Sequence, residues 1–135
     1  MAMNEGGIIP SLEKNVSVEM HHVSLLVADT SRALEFYCGI LGLELDSARP
    51  DLDFAGAWLN IGEQQIHLLE LPSPDPLTGR PEHGGRDRHL ALKVDDLGRL
   101  ENLLKQRGVD YTRSKSGRQA LFCRDYDANG IELIG

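Results

Sequence analysis

From Val18 to Val27 apolar and polar side chains alternate, with Val23, Leu25 and Val27 on one side of an extended chain and Met20, His22, Ser24 and Leu26 on the other. That pattern predicts a strand over 18–27 in which His21 and His22 point opposite ways. Asp29-Thr30-Ser31 supplies capping side chains, and Leu34, Tyr37 and Leu41 then recur at helical spacing until Gly42, so a helix follows. Leu43 to Ala48 predicts a short strand. The runs AGAWLNIG and QQIHLLEL, separated by Gly62-Glu63, alternate as the two arms of a hairpin. The first part of the chain thus reads βαβββ.

The programme then repeats. RHLALKV predicts a strand, DDLGRLENLLKQRG an amphipathic helix stopping at Gly108, VDYTRS a short strand, and QALFCRD with GIELIG a closing hairpin. His22 precedes Val27 by five residues and Asp29 by seven, and His89 precedes Val94 and Asp96 by the same intervals. Arg32 and Arg99 keep that offset. Such self-similarity points to a duplicated unit. Between the units LPSPDPLTGRPEHGGR holds four prolines and three glycines, which excludes a regular element and marks a linker. The expected organisation is a tail over 1–17 and one domain over 18–135, with module one at 18–71, linker at 72–87 and module two at 88–135. The fold class is α+β, two βαβββ modules forming a curled mixed sheet around a metal site.

The metal enters through parity. In the module-two strand Leu90, Leu92 and Val94 share the face the helix covers, leaving His89 on the other; His22, His67 and Glu132 sit likewise opposite the apolar residues of their strands. His22 to His67 is 45 residues and His89 to Glu132 is 43. Four metal-type side chains therefore leave the uncovered faces at matched positions. Imidazole and carboxylate together suit a first-row divalent ion such as Ni, Zn, Fe, Co or Mn better than Ca²⁺ or Mg²⁺. His21 and His83 lack this support, His83 because it falls in the linker.

Composition narrows the setting. With 135 residues, 41% of them hydrophobic, the chain suits a single core. A net charge of −7 disfavours nucleic acid and anionic membrane as partners. No run reaches the ~18 apolar residues of a membrane span, and no signal-peptide pattern opens the chain. Cys38 and Cys123 lie far apart, which suggests reduced, packed thiols and a cytoplasmic protein.

The segments HHVSLLVAD, ALEFYCGILGLEL, WLNIGEQQIHLLEL, RHLALKVDD and RDYDANGIELIG, in their βαβββ-βαβββ order, resemble the vicinal oxygen chelate superfamily of glyoxalase I, methylmalonyl-CoA epimerase, fosfomycin-resistance enzymes, bleomycin-resistance proteins and extradiol dioxygenases. In that superfamily the first and last strands of each module donate the metal ligands, and the resemblance places these on His22, His67, His89 and Glu132. Glyoxalase I commonly has a carboxylate where His67 stands. With one carboxylate instead of two, a site holding a divalent ion carries a net charge of about +1, and Glu132 is left as the only candidate base among the ligands.

The resemblance implies a metal-dependent lyase or isomerase of the glyoxalase I (lactoylglutathione lyase) type, acting on a small oxygen-chelating substrate through an enediolate. That substrate could be a glutathione or other thiol adduct. The alternatives it leaves are a fosfomycin-resistance-type transferase, an epimerase, an extradiol dioxygenase, or a non-catalytic drug-binding protein of the bleomycin-resistance kind. A homodimer is also implied, with the site either within one chain or at a swapped interface. Arg113 and Arg118, in TRSKSGR, are candidate substrate contacts at the rim, and Trp58 and Phe122 are candidate walls. Asp29 and Asp96 read as helix caps, and Asn129-Gly130 as the turn that sets the Glu132 strand.

Overall fold

The computed structural model describes residues 16–135 throughout, together with the backbone of 2–4 and 7–9. Strands β1 (Ala2–Asn4) and β2 (Gly7–Ile9) pair antiparallel. Apart from these strands and the exposed residues 16 and 17, the expected tail over 1–17 lies outside the described residues. Module one comprises β3 (His22–Val27), α1 (Thr30–Tyr37), β4 (Glu44–Asp46), β5 (Gly56–Ile61) and β6 (Gln64–Glu70). Module two comprises β7 (His89–Lys93), α2 (Leu97–Gln106), β8 (Tyr111–Arg113), β9 (Ala120–Arg124) and β10 (Gly130–Ile134). Each builds a separate four-stranded sheet of identical plan, in the order β3-β6-β5-β4 and β7-β10-β9-β8. The first and last strands of each module run parallel because the helix crossover returns the chain, and the remaining pairs are antiparallel.

Both helices start where their capping residues dictate. Asp29 and Asp96 accept from the backbone N–H of Arg32 and Arg99, at the same point in each module. Gly42 and Gly108, with φ of 71° and 68°, turn the chain out of each helix in a conformation that disfavours other residues. The helix-side faces of both sheets merge into one core that includes Phe36, Tyr37, Leu59, Ile66, Leu68, Leu104, Leu121, Ile131 and Leu133. Each such side chain contributes about 1.5–3 kcal/mol by leaving water, so the modules stabilise one another.

The β9–β10 turn locks module two against module one. Buried Asp125 accepts from the backbone N–H groups of Asp127 and Asn129 through one oxygen, and from Tyr37 Oη (2.6 Å) and Asn129 Nδ2 (2.9 Å) through the other. Asn129 Nδ2 also donates to the Leu26 carbonyl, and Asp127 accepts from the Ala28 N–H. Burial pushes the Asp125 carboxyl above its usual range, and four donors are what make its charge tolerable there.

One strand is shorter than the pattern predicts. Alternation continues back to Val18, but the ladder begins with the Gln65 N–H donating to the His21 carbonyl and with His22 opposite Gln65, because β6 opens only after the turn at Gly62. Val16, Val18 and Met20 are consequently 78%, 92% and 65% exposed.

The linker, expected to hold no regular element, contains one 3₁₀ turn over Gly84–Arg86, where two adjacent glycines let the chain tighten against Phe122, and ion pairs hold the rest. Asp87 Oδ2 accepts from Arg124 Nη1 (2.8 Å) and Arg80 Nε (2.9 Å), and Arg124 Nη2 also donates to the Pro81 carbonyl (2.9 Å). These bonds, that from Arg124 foremost, hold the Asp87 carboxyl down to about 2. A carboxyl held below its unfolded value contributes stability that is complete above about pH 4 and is lost as pH falls through about 2. Thermal melting of wild type should therefore fall more steeply between pH 4 and pH 2 than that of Asp87→Asn. Parallel curves would contradict this account of the linker.

Candidate metal centre

His22 and His67 occupy neighbouring parallel strands, with His22 opposite Gln65 and His67 opposite Ser24. Both side chains leave the face opposite Val27, Ile66 and Leu68. Their rings stack, with centroids 3.9 Å apart and planes 16° from parallel. Trp58, directly across from His67 on β5, stacks on the same imidazole at 4.5 Å and 10°.

A polar chain fixes which His67 nitrogen is free. Asp46 Oδ2 can only accept, so the Gln65 amide nitrogen must face it (2.7 Å) and also donates to Asn60 Oδ1 (2.9 Å). Gln65 Oε1 is thereby turned to His67 Nε2 (2.9 Å), which carries the proton and leaves the lone pair on Nδ1. Burial, followed by the charges of His22 and His21, holds His67 below the ordinary imidazole value, so the ring is a neutral donor near pH 7. His21 does not point away from His22. It lies at the very end of the ladder, where its carbonyl accepts from the Gln65 N–H, and the two Nδ1 atoms lie 2.8 Å apart.

The second sheet carries the matching pair. His89 Nδ1 lies 2.8 Å from the Asp87 carbonyl and donates to it, which leaves the lone pair on Nε2. That atom faces Glu132 Oε1 at 3.1 Å. An imidazole lone pair opposite a carboxylate is satisfied by a proton between them or by a cation that both ligate. Glu132 is only 3% exposed, and its other oxygen accepts from Arg118 Nη2 at 2.7 Å. Phe122, across from Glu132 on β9, meets the His89 ring edge to face at 5.1 Å.

The four expected ligands thus form two pairs, one on each sheet. Among the described residues of a single chain, no three His, Cys, Asp or Glu side chains come together to hold a metal. The chemistry of the set suits a first-row divalent ion: His67 and His89 each keep a lone pair fixed by their neighbours, and Glu132 adds one negative charge. Three imidazoles and a carboxylate can act as one cage only if two half-sites face each other.

Of the expected substrate contacts, Trp58 and Phe122 lie on the ligand-bearing faces, and Arg118 reaches Glu132. Arg113 does not join them. It is paired with Leu121, a core residue, so it leaves the helix side of the sheet, where Glu101 of α2 holds it. Arg88 is tied to Asp75.

Two residues on these faces escaped the sequence pattern. Arg49 extends over Gly56, where a Cβ would lie 3.1 Å from its Nη2, on the side of the sheet that carries Trp58. Its Nη2 donates to the Phe54 carbonyl and its Nε is buried without a partner among the described residues. His83 folds back from the linker onto Phe122. Neither lies in a periodic segment; His83 is followed by Gly84-Gly85, whereas Arg49 has no glycine beside it in the sequence.

The sequence pattern of the Glyoxalase/Bleomycin resistance protein/Dioxygenase superfamily matches residues 19–133, and the chain belongs to that family. It is 33% identical over 120 residues to glyoxylase I 4 of Arabidopsis thaliana, which covers 84% of this chain and 68% of that protein. The lactoylglutathione lyase of Escherichia coli O157:H7 is 31% identical over 121 residues, 84% of this chain and 89% of the lyase. Mouse mitochondrial methylmalonyl-CoA epimerase matches at 24% over 122 residues, 83% of this chain and 68% of that protein. Relatives at this level are thus mostly enzymes. Among solved structures, the fosfomycin resistance protein FosX of Listeria monocytogenes, complexed with Mn(II) and a dihydroxypropylphosphonic acid, shares the fold. Its TM-score is 0.68 at 19% identity, over 89% of this chain and 92% of that one. No helix among the described residues is long and apolar enough to cross a membrane.

Proposed function

We propose that the protein is a metal-dependent lyase or isomerase of the glyoxalase I type, working on a small substrate with adjacent oxygens, such as the hemithioacetal of a 2-oxoaldehyde and a thiol. The observation that carries this reading is the pairing of His89 Nε2 with Glu132 Oε1, matched on the other sheet by the stacked His22 and His67. The lactoylglutathione lyases among the relatives favour this chemistry over that of the more distant epimerase.

Since each chain carries only two pairs on separate sheets, the cage is completed by a second copy in a homodimer, His22 and His67 of one chain facing His89 and Glu132 of the other. A divalent ion held there supplies electrostatic stabilisation of the charge that develops on the substrate oxygens. The chain's own residues do the rest. Gln65 and the Asp87 carbonyl hold the two imidazoles in register. Glu132 takes the proton from the carbon bearing sulfur and returns it to the neighbouring carbon, converting a hemithioacetal to a 2-hydroxy thioester through an enediolate. Trp58 and Phe122 exclude water from either half.

The test is metal content and turnover together. Purified protein should bind about one divalent ion per chain and consume the methylglyoxal–glutathione hemithioacetal. If a binding free energy of about 12 kcal/mol is shared by four ligands, His89→Ala should lose roughly 3 kcal/mol of it, a fall in affinity of more than a hundredfold by chelator competition. Full affinity in His22→Ala and His89→Ala would exclude the site. Metal binding without turnover of any hemithioacetal would point to the transferase, epimerase or dioxygenase chemistries of the superfamily.

A further inference from the structure

The linker delivers one more imidazole to the ligand-bearing face of the second sheet. Thr112, Phe122 and Glu132 stand directly across from one another on β8, β9 and β10 and so share that face. His83 lies against two of them. Its Nδ1 is 2.7 Å from Thr112 Oγ1, and its ring meets Phe122 edge to face at 5.0 Å. Phe122 in turn touches His89, so the two imidazoles contact one aromatic ring.

Three features hold His83 in one pose. Thr112 Oγ1 has no other partner among the described residues, so its hydrogen bond with Nδ1 anchors the ring and leaves Nε2 as the unpaired nitrogen. Gly84 lets the linker lie on Phe122, since a Cβ there would sit 3.1 Å from Phe122 Cβ. Gly85 keeps the space beside Nε2 open: a Cβ at that position would sit 3.0 Å from this nitrogen. The linker on which all this depends is itself clasped by Asp87, Arg80 and Arg124. Packing alone would need the ring on Phe122 but neither the hydrogen bond at Nδ1 nor the clearance at Nε2.

We infer that His83 is a substrate-contacting residue, its Nε2 hydrogen-bonding to a polar atom of the substrate outside the adjacent oxygens that chelate the metal. Substrates of this site are therefore those that carry a further polar group able to hydrogen-bond an imidazole nitrogen. The inference rests on the proposed oxygen-chelating site and adds a specificity determinant from a segment that contributes none of its ligands.

The test uses the full chain loaded with Zn²⁺, with the methylglyoxal–glutathione hemithioacetal as substrate and S-lactoylglutathione as a binding probe. His83→Gln should raise KM about tenfold with little change in kcat, the loss of one hydrogen bond to substrate. Gly85→Ala should do the same while keeping the histidine, because its methyl closes the space at Nε2. Zinc affinity by chelator competition should be unchanged in both, and the His83 Nε2 resonance of ¹⁵N-histidine-labelled wild type should move when S-lactoylglutathione is added. Unaltered KM in both variants with an unmoved resonance would overturn the inference, as would loss of zinc in His83→Gln, which would make the residue structural. A wild type that holds no zinc or turns nothing over removes the proposed site itself, and this inference falls with it.

Discussion

Glu132→Gln is expected to lower turnover of a hemithioacetal by about 10²–10⁴-fold, the usual contribution of a positioned base, while retaining a weakened metal site. The carboxylate is the only acid among the four proposed ligands, and an imidazole bonded through its lone pair cannot take a proton with that atom. His67 therefore offers no substitute. The glutamine keeps the shape and the packing of a nearly buried side chain, but it has one oxygen where the carboxylate has two, to serve either Arg118 Nη2 or the ion, which is what weakens the site. Metal affinity should fall much less than activity, and the two are separable by measuring bound ion and single-turnover rate on the same sample. A base on one side of the substrate also implies handedness. Racemic hemithioacetal at limiting methylglyoxal should be consumed in two phases, the second set by spontaneous re-equilibration, which is measured separately. Undiminished activity in Glu132→Gln would exclude this residue as the base.

Mixing two inactive proteins should restore activity. His22→Ala/His67→Ala removes one pair and His89→Ala/Glu132→Ala the other, and each homodimer then lacks half of every site. In a mixed dimer one interface collects both defects and the other collects none. Random exchange makes half the dimers mixed, each with one intact site, so an equimolar mixture should recover about one quarter of wild-type activity and metal capacity. A site within a single chain would recover nothing. The quarter-recovery requires subunit exchange, which brief dilution followed by reconcentration provides.

Much of this arrangement was legible in the alternation of the strands. His67, Glu132, Trp58 and Phe122 all fall opposite core residues, and their facing follows from parity alone. The caps at Asp29 and Asp96 were legible for the same reason, because they are local: a carboxylate three residues ahead of an N–H needs no tertiary partner. Arg113 shows where the reading stopped short. It was grouped with the loop TRSKSGR, yet it ends a strand, and the parity that placed Phe122 sends it to Glu101 on the helix side. The start of β3 was overextended because alternation describes one chain and pairing needs two. His83 and Arg49 were out of reach, since a Pro- and Gly-rich linker carries no period and its fold-back is decided by Thr112, Phe122 and the Asp87 clasp, all distant in sequence. The separation of the four proposed ligands into two pairs is likewise a property of how the sheets are disposed, on which no strand pattern bears.

The stacking of Trp58 on His67 at 4.5 Å has a practical side. The chain contains one tryptophan, so its entire indole emission originates beside a proposed ligand. Paramagnetic Co²⁺, Ni²⁺ or Mn²⁺ arriving at His67 would quench that light, whereas closed-shell Zn²⁺ would chiefly shift it. The protein thus contains its own optical gauge of occupancy, readable in stopped flow without a label and confined to the module-one half of the cage.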